Sequence, residues 1–157
     1  MSAFTPAKII NNNYKIAIIV AEFNPLITEQ LRLGAMDAFY HFGGEEHNIE
    51  YYYVPGAFEI AGCVKRLIEY NQYDAILTLG AVIKGETPHF DFVAGESASK
   101  IASLSIQSNS PILFGILTTD TLQQALERAG TKALNKGWVL MEAAISTIQT
   151  YRQISSK

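Results

Sequence analysis

The sequence has very little cysteine, since Cys63 is its only thiol among 157 residues. A single thiol cannot form an intramolecular disulfide, which excludes the disulfide-stabilised secreted scaffolds. Cys63 and the three histidines are also too scattered along the chain to predict a metal site. We therefore expect a protein of a reducing, cytoplasmic setting that holds no metal.

Long apolar runs and an excess of one charge are missing as well. No apolar segment approaches the ~20 residues that a membrane-spanning helix needs, and residues 1–13 lack the charged-then-apolar order of a signal peptide. The net charge is −3, from 12 basic and 15 acidic residues. This balance indicates neither a nucleic-acid partner nor a membrane partner.

Apolar residues are abundant, at 48% of the chain against 17% charged residues, which is typical of a globular protein. The length fits one domain over residues 1–157, with residues 1–13 as an N-terminal arm. Continuous apolar runs predict strands that are buried on both faces, as in a parallel sheet covered by helices. These strands are residues 15–21, 49–54, 74–83 and 112–117.

Residues that are typical of helix starts and ends lie between the predicted strands. Asn24 reads as an N-cap before Pro25, and Gly43 and Gly44 read as the end of the same helix. A second helix follows Pro55-Gly56. A polar loop over residues 84–92 precedes a helix predicted from about 95 to 108.

Two more helices are predicted near the C-terminus. Asp120 and Gln123 fit a capping box for a helix over residues 122–129, which Gly130 closes. Thr131 or a neighbour would open the last helix, which runs to about Ile154.

Strands and helices in strict alternation predict a three-layer α/β/α sandwich with a flavodoxin-like parallel sheet of order 2-1-3-4. Ligands of such sheets bind beyond the carboxyl ends of the strands, near the switch point. This rule points to four segments: residues 21–24, 54–59, 82–90 and 117–120.

His89 lies in the segment that is richest in chemistry, Lys84-Gly85-Glu86-Thr87-Pro88-His89-Phe90. Histidine moves protons readily at neutral pH, so it suits general acid–base catalysis. A surface-loop histidine without a role is the alternative. The backbone near Gly85 and Thr87 could approach an anion. The chain has no Walker motif and no G-x-G-x-x-G, so no motif indicates that this anion belongs to a nucleotide.

Three further side chains allow two interpretations each. Arg128 could bind a phosphate through two parallel hydrogen bonds, or only complement the helix dipole in a last turn. Phe23 could stack on a planar heterocycle, or pack as a core or staple residue. Glu59 could accept hydrogen bonds from a polyol, or only favour the start of its helix.

Four ordered segments resemble the lumazine synthase family, and the similarity extends from Lys15 to about Thr150. They are FNPLIT at 23–28, VPGAFEI at 54–60, LGAVIKGETPHFDFV at 79–93 and FGILTTDTLQQALERAGTKALNKG at 114–137. The resemblance implies a transferase that needs no cofactor. It would condense 5-amino-6-(D-ribitylamino)uracil with 3,4-dihydroxy-2-butanone 4-phosphate, in the penultimate step of riboflavin biosynthesis.

The resemblance also implies the roles of individual residues. His89 would transfer protons. The ribitylamino-uracil would be bound by Phe23, Asn24, Gly56, Ala57, Phe58, Glu59, Val82 and Ile83, and from an adjacent subunit by Phe114 and Lys136. The phosphate would be bound by Glu86, Thr87 and Arg128. Many relatives have a small or hydroxylated residue at the position of Glu86, and Leu134 and Trp138 are unusually bulky.

The assembly implied by the resemblance is a homopentamer with active sites between subunits, with a decamer or an icosahedral 60-mer as larger forms. Residues 7–10 would pair with a neighbour's sheet, and a riboflavin synthase is a candidate partner. Two other classes of function remain open. One is a binding module that holds a flavin or lumazine without turnover, and the other is a structural shell protein with secondary catalysis.

Overall fold

The computed structural model describes residues 9–10, 14–130 and 135–157. Its sheet has four parallel strands, which are β1 (Ile16–Ala21), β2 (Ile49–Val54), β3 (Ala75–Ile83) and β4 (Ile112–Thr119). The strand order is β2-β1-β3-β4, which confirms the prediction. The switch between the two directions of winding therefore lies between β1 and β3.

Within the described residues, five α-helices cover the sheet. They are α1 (Pro25–His41), α2 (Ile60–Tyr70), α3 (His89–Gln107), α4 (Leu122–Gly130) and α5 (Lys136–Ser155), with 3-10 turns at Glu46–Asn48 and Ala57–Glu59. Helices α1, α4 and α5 share one apolar core with the sheet, and α2 and α3 share the other. The three-layer architecture is thus the predicted one. None of the helices in the described part of the chain is long and apolar enough to span a membrane.

Strand β1 is the centre of both cores. All six of its residues are buried, and Ile18 faces one helix layer while Ile19 faces the other. A strand that is paired on both edges and covered on both faces has no position for a polar side chain, which explains its continuous apolar sequence. The carboxyl end of β1 is consequently held in place from all sides.

The third helix begins earlier than predicted. Helix α3 starts at His89, and the preceding loop is correspondingly shorter than the expected residues 84–92. Pro88 has a φ of −70°, and its carbonyl accepts a hydrogen bond of 3.0 Å from the N–H of Asp91. Proline favours this turn geometry, and Asp91 in the first turn complements the helix dipole. His89 is therefore a helix residue and not a loop residue.

Helix caps differ from prediction in two places. Asn24 occupies the N-cap position of α1, but it is left-handed, with a φ of 64°, and its side chain makes no cap hydrogen bond. At α4 the capping box lies one residue later than expected. The N–H of Gln124 donates to Thr121 Oγ1 at 3.1 Å. In return, Gln124 Oε1 accepts from the N–H of Thr121 at 3.4 Å and from that of Asp120 at 2.8 Å.

The last helix also begins elsewhere. Helix α5 starts at Lys136, and Asn135 is its N-cap. The predicted opening residue, Thr131, lies outside the described residues, as does Leu134. Gly43, with a φ of 99°, ends the turn after α1 as predicted.

Only Ile9 and Ile10 of the N-terminal arm are described, and the N–H of Ile10 donates to the carbonyl of Phe42 at 2.7 Å. The rest of the predicted pairing segment, residues 7 and 8, lies outside the described residues. The pairing of this segment with a neighbour's sheet stays a prediction.

Candidate active site

A cavity of about 590 Å³ opens at the carboxyl ends of β1, β2 and β3. It lies beside the switch between β1 and β3, where parallel α/β sheets bind ligands. Its lining residues are Phe23, Pro55, Gly56, Ala57, Phe58, Glu59, Ala81, Val82, Ile83, Gly85, Thr87, His89, Phe90 and Val93. Three of the four predicted segments therefore meet here, whereas residues 117–120 contribute nothing to the lining.

Phe23 is held at the rim by the chain that follows β1. The N–H groups of Glu22 and Phe23 donate to the carbonyls of Val54 and Pro55 at 2.8 and 3.0 Å, which extends the pairing of β1 with β2. The left-handed Asn24 then turns the chain into α1. Phe23 is 71% exposed, so the interpretation as a core residue is wrong.

The segment after β2 forms the floor of the cavity. Ala57 is buried, and its carbonyl accepts a hydrogen bond of 3.2 Å from Ser97 Oγ of α3. A Cβ atom at Gly56 would lie 3.4 Å from Glu59 Oε2, so the carboxylate stands close to the backbone of this turn. Phe58 and Glu59 remain exposed. The floor thus combines a fixed backbone with one free carboxylate.

The remaining wall comes from β3 and the start of α3. Val82 and Ile83 are partly buried at the end of β3, and Thr87 and His89 are exposed beyond them. A Cβ atom at Gly85 would meet nothing within 4 Å, so the backbone there is open to a ligand. This part of the cavity can accept an anion or a polar group without first moving a side chain.

The cavity is mainly apolar, and Glu59 and His89 are the ionisable side chains among its lining residues. An apolar pocket with a few polar groups at fixed places is typical of a small-molecule site. Within residues 9–10, 14–130 and 135–157, no three histidine, cysteine, aspartate or glutamate side chains form a group that could hold a metal ion.

Five predicted site residues do not line the cavity: Asn24, Glu86, Phe114, Arg128 and Lys136. The Asn24 amide donates to the carbonyl of Ala81 at 3.0 Å, directly beside the cavity. Glu86 is exposed in the loop before α3. Arg128 is exposed near the end of α4, and its Nη1 donates to the carbonyl of Gln124 at 2.9 Å.

Phe114 on β4 and Lys136 at the start of α5 are also exposed and away from the cavity of their own chain. Their ligand-binding roles stay predictions, like those of the lining residues.

Five lining residues were not among the predicted site residues: Pro55, Ala81, Gly85, Phe90 and Val93. Of these, Gly85 had been named as backbone that an anion could approach. Phe90 and Val93 are three residues apart on α3, which places both on one helical face beside His89. A helix that begins directly after Pro88 would have revealed this face, but the segment was predicted to be a polar loop over residues 84–92. Ala81 escaped notice because its side chain is small.

A family model described as 6,7-dimethyl-8-ribityllumazine synthase matches residues 13–152. The chain belongs to this family. A member of the family from Nautilia profundicola is 52% identical over 145 residues, which are 92% of this chain and 94% of that relative.

The lumazine synthase of Campylobacter jejuni, serotype O:23/36, is 48% identical over the same shares of both chains. The resemblance inferred from the four sequence segments is therefore confirmed.

Proposed function

We propose that this chain is a 6,7-dimethyl-8-ribityllumazine synthase, a cytoplasmic transferase of riboflavin biosynthesis. It condenses 5-amino-6-(D-ribitylamino)uracil with 3,4-dihydroxy-2-butanone 4-phosphate and releases phosphate and water. The observation that carries the proposal is the cavity at the switch point, where Phe23, Glu59 and His89 converge in a member of this family. No cofactor takes part.

The ribitylamino-uracil occupies the cavity between β1 and β3. The exposed ring of Phe23 stacks on the pyrimidine, since aromatic faces favour planar heterocycles. Val82 and Ile83 line the ring pocket, and the ribityl chain lies along the turn from Gly56 to Glu59. The carboxylate of Glu59 accepts hydrogen bonds from the ribityl hydroxyl groups.

The nucleophile is the 5-amino group of the uracil itself, so the protein needs no activated serine or cysteine. The amine attacks the ketone, and a Schiff base forms with loss of water. Phosphate then leaves by elimination, and the ring closes with loss of a second water. Holding two reactants in register can lower the barrier by as much as ~7–11 kcal/mol. His89, at the cavity rim, moves protons during imine formation and elimination.

The phosphate is bound by backbone N–H groups near Glu86 and Thr87 and by the guanidinium of Arg128. The open space at Gly85 supports an approach of the anion to this backbone. Arg128 stabilises the departing phosphate by charge. The Glu86 side chain points away from the anion, because two negative charges at close range repel each other.

Active sites lie between subunits. Phe114, Arg128 and Lys136 are exposed and do not line the cavity of their own chain, which supports their donation to a neighbour's cavity. The assembly is a homopentamer, with a decamer or an icosahedral 60-mer as larger forms, and the N-terminal arm pairs with a neighbour's sheet. A riboflavin synthase is the proposed partner enzyme.

The decisive experiment mixes the purified protein with both substrates and follows lumazine absorbance together with phosphate release. We expect both signals to rise in equal amounts. Binding of a ribityl-pyrimidine analogue without any turnover would overturn the enzyme proposal in favour of a binding module. Size-exclusion chromatography with light scattering measures the oligomeric state. A fully active monomer would contradict the proposal that active sites lie between subunits.

A further inference from the structure

The buried amide of Asn135 links three helices. Its Nδ2 donates to the carbonyls of Ala129 at the end of α4 and of Gln30 in α1, both at 2.9 Å. Its Oδ1 accepts from the N–H of Trp138 at 3.1 Å and so caps α5. Both hydrogens of the amide and its oxygen are thus used, and the residue is only 5% exposed. This small polar group sets the distance between the end of α4 and the start of α5.

Two glycines enclose this amide. A Cβ atom at Gly34 of α1 would lie 2.1 Å from Asn135 Oδ1, and one at Gly137 would lie 1.9 Å from the carbonyl oxygen of Leu31. Helices α1 and α5 therefore approach each other closely enough to leave space for the amide and for nothing larger. A side chain held by three hydrogen bonds inside such a closed space has one orientation.

Two exposed cationic side chains are next in sequence to residues that take part in these hydrogen bonds. Arg128 immediately precedes Ala129, whose carbonyl the amide binds, and Lys136 immediately follows Asn135. Both cationic side chains are exposed, while the backbone next to each is fixed by the same buried group. A shift of the Asn135 amide would therefore change the position of the main chain at Arg128 relative to that at Lys136.

We propose that Asn135 is a positioning residue that holds Arg128 and Lys136 in one fixed arrangement for the two substrates. The inference rests on the proposed function, in which Arg128 binds the phosphate and Lys136 contacts the uracil. Asn135 itself touches no substrate, because it is buried between helices. It acts by preorganisation, which reduces the loss of freedom when substrates bind.

The chemistry of the amide decides the test variants. Asn135→Asp keeps an acceptor for the N–H of Trp138, but a carboxylate cannot donate to the carbonyls of Ala129 and Gln30. Asn135→Ser keeps the helix cap with a shorter side chain that reaches fewer partners, so it is a milder second variant. Ile148→Val is the control for general weakening of α5, since Ile148 is buried far from the cap.

The experiment measures kcat and both KM values for the full-length variants, together with their thermal unfolding. We expect both KM values to rise about five- to tenfold in Asn135→Asp, in line with lost hydrogen bonds, and less in Asn135→Ser. A purely structural defect would lower the amount of folded enzyme, and so the apparent kcat, without moving either KM. The fluorescence of Trp138, the only tryptophan, reports whether the cap has shifted.

Single replacements of Arg128 and Lys136 test the proposed substrate contacts separately from the positioning role of Asn135. Arg128→Ala should raise the KM for the phosphoketone alone, and Lys136→Ala the KM for the uracil alone. If these variants act as expected while both Asn135 variants keep wild-type KM values, the positioning role is wrong. If neither cation variant changes a KM, the proposed substrate contacts and the positioning role are both wrong. Ile148→Val should change neither KM.

Discussion

The side-chain amide of Asn24 donates a hydrogen bond of 3.0 Å to the main-chain carbonyl of Ala81. It ties the turn after β1 to the end of β3, across the switch point of the sheet. The same residue has a φ of 64°, which is a left-handed backbone conformation that asparagine adopts more readily than most residues. Asn24 thus holds the turn that presents Phe23 at the rim of the cavity.

Two replacements of Asn24 separate the effect of its hydrogen bond from the effect of its left-handed backbone conformation. Asn24→Ala loses the hydrogen bond and keeps a strained φ, so we expect it to lower the free energy of unfolding by about 2–3 kcal/mol. Asn24→Gly loses only the hydrogen bond and should cost about 1 kcal/mol. Urea denaturation measures both. Equal losses in the two variants would show that the left-handed backbone carries no strain.

We expect His89→Ala to reduce kcat by about 10²–10⁴ while leaving the affinity for the uracil largely intact. The physical reason is that His89 moves protons in the proposed reaction and does not hold the pyrimidine. Steady-state kinetics and calorimetric titration with a ribityl-pyrimidine analogue provide the two measurements. His47→Ala is the matched control, because His47 is exposed in a 3-10 turn and does not line the cavity. An unchanged kcat in His89→Ala would refute the proton-transfer role.

Arg128 and Arg66 form a matched pair. Each is exposed and each donates from Nη1 to the carbonyl four residues earlier in its helix, at 2.9 Å for Arg128 and 3.1 Å for Arg66. Arg128→Ala should raise the KM for the phosphoketone on the order of tenfold or more, through loss of a charge-assisted contact to the phosphate.

Arg66→Ala should change neither KM, because it removes an equivalent helix contact at a residue outside the lining of the cavity. Steady-state kinetics with each substrate varied in turn makes the comparison. Equal changes in both KM values of Arg128→Ala would argue against a phosphate contact.

Glu50 makes the stability depend on pH at the opposite end of the sheet. Hydrogen bonds from Tyr52, at 2.6 Å, and Tyr73, together with Lys15 at 3.3 Å, lower the pKa of Glu50 below its ordinary value of 4.5. A group with a lowered pKa stabilises the fold fully above its unfolded-state pKa. This stabilisation is lost as the pH falls through the folded-state pKa.

Urea denaturation at several pH values below 5.5 or so measures this linkage. We expect Glu50→Gln to unfold with a weaker dependence on pH than the wild-type protein over this acid range. Parallel curves for the two proteins would show that Glu50 is not the group responsible.

Gly34 and Gly95 both lie inside helices, where alanine is intrinsically favoured over glycine by about 1 kcal/mol. A methyl group at Gly95 would meet nothing within 4 Å, so Gly95→Ala should raise the stability by up to about 1 kcal/mol. A methyl group at Gly34 would overlap the amide of Asn135, so Gly34→Ala should lower it instead. Thermal unfolding gives both signs, and a stabilised Gly34→Ala would show that the Asn135 amide moves freely.

The sheet could be predicted because its signals are local and strong. The continuous apolar runs of β1 and β3 indicate burial on both faces, and the crossover rule then leaves few strand orders. The limits of the helices were harder to predict, since they depend on which competing cap forms. Thr121 with Gln124 replaced the expected box at α4, and Pro88 allowed α3 to begin at His89.

The candidate site was partly predictable from topology alone. The switch-point rule identified the segments that contain Phe23, Glu59 and His89, and these residues do line one cavity. Arg128 and Lys136 could not be placed by that rule, because they lie on α4 and α5, outside the four segments that the rule identifies. The contacts of Asn135 could not be predicted from the sequence, because its hydrogen-bond partner Gln30 lies 105 residues away in the chain.

Helix α3 has 19 residues, and it buries only Ser97 and Ile101 within the single chain. Few apolar contacts therefore oppose its local unfolding, and regions of this kind detach before the core does. His89, Phe90 and Val93 would all leave the cavity with it, while the four strands stayed paired. Heating can thus open the cavity of a lone subunit well below the temperature at which its sheet melts.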